Sequence, residues 1–207
     1  PIRSSAASDV YKRQLMKFTK LVSEGKITNY SLEKLNFEKE IDKHGKIDDV
    51  LSPNNTILTQ IIKEPISTKG PRISSELSFA GRFLVLIPFS NRISVSQKIK
   101  SKKERDRLKK LIEEFRPKGF GVIIRTVAKN KSKSELEGDL KDLILRWKRL
   151  CINFSKSNSY PTKILGEINR TTSKLRDVFD DSFSNIYLDD PSLHSEIKEY
   201  IKLIAPG

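Results

Sequence analysis

Arg125 and Thr126 stand side by side at the end of the apolar run Gly121-Val122-Ile123-Ile124. A guanidinium and a hydroxyl placed where a strand leaves its sheet can clamp one phosphate, the arginine through two parallel N–H bonds and the threonine through one. The competing reading is a surface arginine beside a turn threonine. Two carboxylate pairs, Asp180-Asp181 and Asp189-Asp190, are the other candidates for chemistry. Paired acids can hold Mg²⁺, yet each pair falls where a helix ends or begins, and capping accounts for them more simply. His44 and His194 are the only imidazoles and Cys151 is the only thiol. Zinc sites built from Cys pairs and an internal disulfide framework are excluded, triad hydrolysis is disfavoured, and the chain reads as intracellular. Lys69-Gly70-Pro71 lacks the spacing of a phosphate loop. No catalytic residue and no metal ligand set is assigned.

Charge points to a polyanion. In 207 residues, 40 Lys+Arg against 26 Asp+Glu leave a net +14, with 36% hydrophobic residues. Between Lys98 and Lys118 ten cations face four carboxylates, a local net of +6. Nucleic acid or an anionic surface would suit that excess, and a solvated helix face is the plainer alternative. The longest apolar run, Phe83 to Phe89, is far short of the roughly 20 residues that span a bilayer.

The elements that must position Arg125 follow from periodicity. Residues 15–56 are polar and lack a core of their own, with a short helix at Leu15–Ser23 and turn signals at Gly25-Lys26, His44-Gly45 and Pro53-Asn54-Asn55. Ile57–Ile62 reads as a strand stopped by Pro65. From Ile73 to Phe89, Leu77, Phe79, Phe83, Val85 and Ile87 occupy odd positions, the period of two of a half-buried strand. Gly81 interrupts it, marking a bulge or a close backbone approach. Ser101–Glu104 has a capping-box form, Leu108, Leu111, Ile112 and Phe115 follow at helical spacing, and Pro117 ends the helix. Gly121–Val127 reads as a strand. Ser134–Glu137 repeats the capping-box form before one long stripe from Leu136 to Phe154, in which Trp147 reads as core. A strand near Ile164–Glu167, a helix near Asn169–Phe179, a strand near Asn185–Leu188 and a helix from Pro191 to Ile204, with His194 on its surface, complete the chain.

Neither Pro1 nor Pro206-Gly207 reads as a natural terminus, so the chain is expected to be a fragment. Residues 1–14, PIRSSAASDVYKRQ, resemble a translated sequencing adaptor and are set aside; an ordinary disordered tail is the alternative.

KEPISTKGPRISSELSFAGRFLVLIPF (Lys63 to Phe89), SVSQKI (Ser94 to Ile99), GFGVIIRTVA (Gly119 to Ala128) and the LGEINR…LRD pattern (Leu165 to Asp177) closely resemble the ribonuclease E/G endoribonucleases, in particular the shorter ribonuclease G branch. The resemblance implies an α+β chain: a partial S1-type OB fold with an insertion over 15–72, an α/β sensor of the RNA 5′ end over 73–170, and a partial RNase H-like subdomain over 171–207. The early strands of the S1-type domain should precede residue 15. The DNase I-like catalytic part, with two Mg²⁺-binding aspartates, should follow the last residue. Neither those aspartates nor the zinc-binding Cys pair that joins protomers is in this sequence.

Carried over by position, Arg125 and Thr126 hold a 5′-monophosphate, Gly81 and Val85 line the pocket with backbone groups, and Lys98 keeps a cation beside Gln97, where better-known members carry arginine. The implied function is a fragment of an endoribonuclease of RNA processing and decay. It binds single-stranded RNA without cutting it, needs no cofactor itself, and comes from a cytoplasmic, homo-oligomeric, Mg²⁺-dependent parent with no membrane contact. A free-standing nucleic-acid-binding module, and a structural or membrane-surface adaptor, stay open beside it.

Overall fold

The first two strands of the described residues are too exposed to own a core. In the computed structural model the described residues are 17, 18, 20–22, 24, 25, 31–33, 57–157, 159–166, 170–179 and 183–204. They fall into two units, Pro1–Leu165 and Gly166–Gly207. In the first, β1 (Gln60–Lys63) pairs antiparallel with β2 (Arg72–Ser74), with a register shift between Ile61 and Lys63. The Gln60 amide donates to Ser78 O (3.0 Å) and accepts from Ser78 N (2.8 Å), which ties this ribbon to the next sheet.

That sheet has four strands in the order β3-β4-β6-β5: β3 (Phe79–Ala80), β4 (Leu84–Pro88), β5 (Ile93–Val95) and β6 (Phe120–Ile124). β4 runs antiparallel to β3 and β6, and β5 runs parallel to β6. A parallel neighbour needs a crossover, and α1 (Lys102–Phe115) supplies it. Helix α2 (Lys133–Lys156) packs on β3 and β4, while α1 packs on β5 and β6 and touches α2. Leu84, Leu86, Val122 and Ile124 meet Leu108 and Ile112 of α1 and Leu136 and Leu143 of α2 in one core. At its centre Trp147 lies 5.1 to 6.2 Å, centroid to centroid, from the rings of Phe18, Phe79, Phe89 and Phe120. Phe18, Val22 and Leu32 therefore lend the polar first stretch to a core built elsewhere. Cys151 is buried in the same stripe, and that burial pushes its thiol pKa up.

The second unit holds α3 (Arg170–Val178) and α4 (Pro191–Ile204). Leu175 and Ile197 are buried, and Thr172 Oγ1 donates to Glu196 Oε1 at 3.2 Å. Asp190 caps α4, accepting from Ser192 N (2.8 Å) and Leu193 N (3.2 Å), and His194 is exposed.

Several expectations need correction. The run Ile73 to Phe89 is three short strands, and within β4 its buried positions are even: Leu84 and Leu86 are inside while Val85 and Ile87 are half-covered. The chain reverses at Gly81-Arg82-Phe83, with Gly81 N donating to Leu84 O at 2.8 Å, so Gly81 opens a hairpin and not a bulge, while the close approach expected as the alternative is made by the Asp139 carboxyl. The cap of α2 is Ser132, two residues before the expected serine, with Glu135 completing the box. At α1 only half of a box forms, because Glu104 turns elsewhere. β6 stops at Ile124, and Thr126–Ala128 is a 3₁₀ turn. Ile164 to Gly166 and Asn185 to Leu188 are not strands, since the described residues offer them no ladder partner. The turns at His44-Gly45 and Pro53-Asn54-Asn55, and the Asp180-Asp181 pair, lie outside the described residues.

Candidate phosphate-binding site

Parallel strands β5 and β6 end side by side, with Val95 opposite Ile124. Ser96 N donates to Ile124 O at 2.9 Å, and Arg125 N crosses to Phe83 O at 2.8 Å. Because β4 runs the other way, its first residue, Leu84, also lies against Ile124. Three segments distant in sequence, 81–85, 96–98 and 125–126, thus meet at one sheet edge, beyond the carboxyl ends of the parallel pair. That is the edge where open sheets with parallel strands take their ligands.

Arg125 is half-buried, and its Nη1 donates to Gly81 O at 2.8 Å and reaches Arg82 O at 3.4 Å. Thr126 is exposed, with its hydroxyl 3.0 Å from that of Ser96. Gly81 is buried, and its N–H and C=O serve the hairpin and Arg125. Val85 sits mid-sheet between Ala80 and Ile123. Lys98 is exposed one residue beyond Gln97, its backbone N–H 3.4 Å from Ser96 Oγ. Arg82 and Lys131 both stand over the Phe83 ring, 5.1 and 5.5 Å from its centroid, so the rim is cationic.

Two carboxylates hold this edge in shape. Glu104 accepts from Arg107 Nε and Nη2, both at 2.7 Å, and from Asn130 N at 2.8 Å, while Arg107 Nη2 also donates to Lys131 O. The fork of Arg107 brings the Glu104 carboxyl pKa down to about 2. The start of α1 thereby anchors the residues that follow Thr126, where Asn130 takes φ 60°. Asp139 of α2 accepts from Arg82 N (2.9 Å) at Oδ1 and from Phe83 N (2.9 Å) and Leu84 N (2.8 Å) at Oδ2. Burial pushes its carboxyl above the ordinary range, against the pull of the three N–H bonds.

The sequence model of the Ribonuclease E/G family matches residues 78–207, the stretch that contains this edge. The chain belongs to the ribonuclease E/G family. Ribonuclease G of Haemophilus influenzae is 33% identical over 171 residues, covering 82% of this chain and 34% of the relative. Ribonuclease E of Synechocystis is 31% identical over 76% of this chain and 23% of its own length. The chloroplastic ribonuclease E/G-like protein of Arabidopsis thaliana is 34% identical over 72% of this chain and 16% of its own length. The chain spans about a third or less of each relative.

Of the residues the resemblance singled out, Gly81, Arg125 and Thr126 lie at one edge, Val85 pairs one ladder step inside it, and Lys98 is on the loop leaving it. Sequence reasoning missed Ser96, Glu104 as an anchor, and Asp139. The last left a signal: an acid three residues after Leu136 and four before Leu143, inside the apolar stripe of α2. The basic run is divided. Arg107 and Arg116 are engaged by the protein itself, Arg107 by Glu104 and Arg116 donating to Phe120 O, whereas Lys98, Lys100, Lys102 and Lys103 are exposed. Among the described residues no three His, Cys, Asp or Glu side chains gather as metal ligands. No described helix is long and apolar enough to cross a membrane.

Proposed function

We propose that this part of a ribonuclease E/G protein grips the 5′-monophosphate end of single-stranded RNA. One observation carries the reading. The Arg125 guanidinium is held by the Gly81 carbonyl at the same strand ends where the Ser96 and Thr126 hydroxyls lie 3.0 Å apart. A terminal phosphomonoester is a dianion with three acceptor oxygens, and a guanidinium, two hydroxyls and a nearby ammonium on Lys98 complement it in charge and in donors. A 5′-hydroxyl end offers neither the second charge nor the extra oxygens, so the pocket distinguishes the two ends.

On this reading residues 73–170 form the 5′-end sensor, 15–72 belong to an S1-type OB domain and 171–207 to an RNase H-like subdomain. The whole protein is a cytoplasmic, homo-oligomeric, Mg²⁺-dependent endoribonuclease of RNA processing and decay. The names of its relatives, ribonuclease G and ribonuclease E, support the ribonuclease part of that reading. The test is equilibrium binding of the 207-residue chain to one oligoribonucleotide carrying either a 5′-monophosphate or a 5′-hydroxyl. Tighter binding of the phosphorylated end is expected, and equal affinity overturns the reading.

A further inference from the structure

The hairpin that aims Arg125 is itself held from behind. Each peptide group is a rigid trans plane, so the N–H of one residue and the C=O of the residue before it point in opposite directions. Three consecutive planes of this hairpin have Asp139 on the N–H side. The same three planes have Arg125 on the carbonyl side. The Arg82 N–H meets Asp139 Oδ1, and its plane-mate Gly81 O accepts from Arg125 Nη1. The Phe83 N–H meets Asp139 Oδ2, and its plane-mate Arg82 O lies 3.4 Å from Arg125 Nη1. The Leu84 N–H meets Asp139 Oδ2, and its plane-mate Phe83 O accepts from the Arg125 N–H.

We propose that Asp139 is a positioning residue of the phosphate site, acting on Arg125 through these three peptide groups. The proposal rests on the reading of the edge as a 5′-phosphate pocket. Two physical effects carry the coupling. The carboxylate fixes the tilt of the planes, and with it the position of the carbonyls that receive Arg125. It also polarises each plane, since an acceptor on the N–H strengthens the carbonyl at the other end. Arg125 is thereby set before RNA arrives, and less ordering remains to be done on binding. The Asp139 carboxylate already fills the concavity of N–H groups at Arg82, Phe83 and Leu84, which leaves the phosphate to the side chains of Arg125, Thr126 and Ser96.

Arg146 supplies the control. Its Nη1 donates to Ala80 O at 3.0 Å, so it ties the same hairpin to α2, but through the plane shared with the Gly81 N–H, which does not reach Arg125. The experiment measures, for the 207-residue chain and its Asp139→Ala, Asp139→Asn, Arg146→Ala, Arg125→Ala and Arg125→Ala/Asp139→Ala variants, the affinity ratio between 5′-monophosphorylated and 5′-hydroxyl RNA together with unfolding stability.

Asp139→Ala is expected to lower the ratio about tenfold, as loss of charge-assisted bonds does. Asp139→Asn, whose one oxygen still serves two of the N–H groups, should fall between it and wild type, and it carries the test where the alanine variant loses its fold. Arg146→Ala should lose stability and keep the ratio. The double variant should lose no more of the ratio than Arg125→Ala alone. A wild-type ratio of one overturns the phosphate reading and this proposal together. A wild-type preference that both Asp139 variants retain, or that Arg146→Ala removes as fully as they do, or losses that add in the double variant, overturns this proposal alone.

Discussion

A methyl group on Gly81 would stand 2.6 Å from both carboxylate oxygens of Asp139. Side-chain carbons do not approach oxygen that closely, and Asp139 has little freedom to retreat, because three backbone N–H groups hold it. Glycine is needed here for space, as its backbone φ is ordinary. Gly81→Ala is expected to cost about 1–3 kcal/mol through overpacking. Urea denaturation followed by the fluorescence of Trp147, the only tryptophan, checks it.

Glu104 gives the fold an acid limb. Its carboxyl is lowered from 4.5 to about 2 in the folded chain, so between those values the unfolded chain binds more protons. The stabilisation is complete above pH 4.5 and fades as pH falls toward 2. Glu104→Gln should cost about 1–2 kcal/mol at neutral pH, as loss of a charge-assisted hydrogen bond does. The gap between variant and wild type should close as the medium is acidified. Denaturation at several pH values measures it, and a gap independent of pH would deny Glu104 this role.

Trp147 is 1% exposed inside a box of four phenylalanine rings. Trp147→Ala should cost about 3–5 kcal/mol, the range for emptying a large aromatic site. Circular dichroism during thermal unfolding checks this, and a loss under about 1 kcal/mol would mean that the box collapses freely.

The Ser96 and Thr126 hydroxyls are partners at 3.0 Å, so they act on a ligand as a unit. Thr126→Val should weaken the preference for a 5′-phosphate by about 0.5–1.5 kcal/mol, as one neutral hydrogen bond does. Ser96→Ala should weaken it too, and the double variant should lose less than the sum. Titration of both RNA ends against the four proteins reads the coupling.

The helices were legible because their signals are local. Ser101 and Pro117 bracket α1, and the stripe through Trp147 needs nothing beyond spacing. Arg125 at a strand exit was legible for the same reason. The hairpin was not, since Phe83 to Ile87 is apolar at every position, and with no polar residue to mark the phase, the odd-numbered pattern runs on through a reversal. Asn185 to Leu188 has a strand's composition, but a strand exists only with a partner, and Tyr187 is 89% exposed. Asp139 reaches Arg82, Phe83 and Leu84 across more than fifty positions. Only the fold brings such groups together, and in sequence Asp139 differed from a surface acid solely by its place in an apolar stripe. Ser96 carried no mark at all until β5 and β6 were seen to end together.

The most direct measurement is the affinity of wild type, Arg125→Ala and Arg125→Lys for 5′-monophosphorylated and 5′-hydroxyl RNA of one sequence. The phosphate grip predicts that Arg125→Ala removes a preference of roughly 1.5–3 kcal/mol, the worth of hydrogen bonds to a charged group. Arg125→Lys should recover only part of it, since an ammonium lacks the planar fork. Full discrimination by Arg125→Ala would contradict the account.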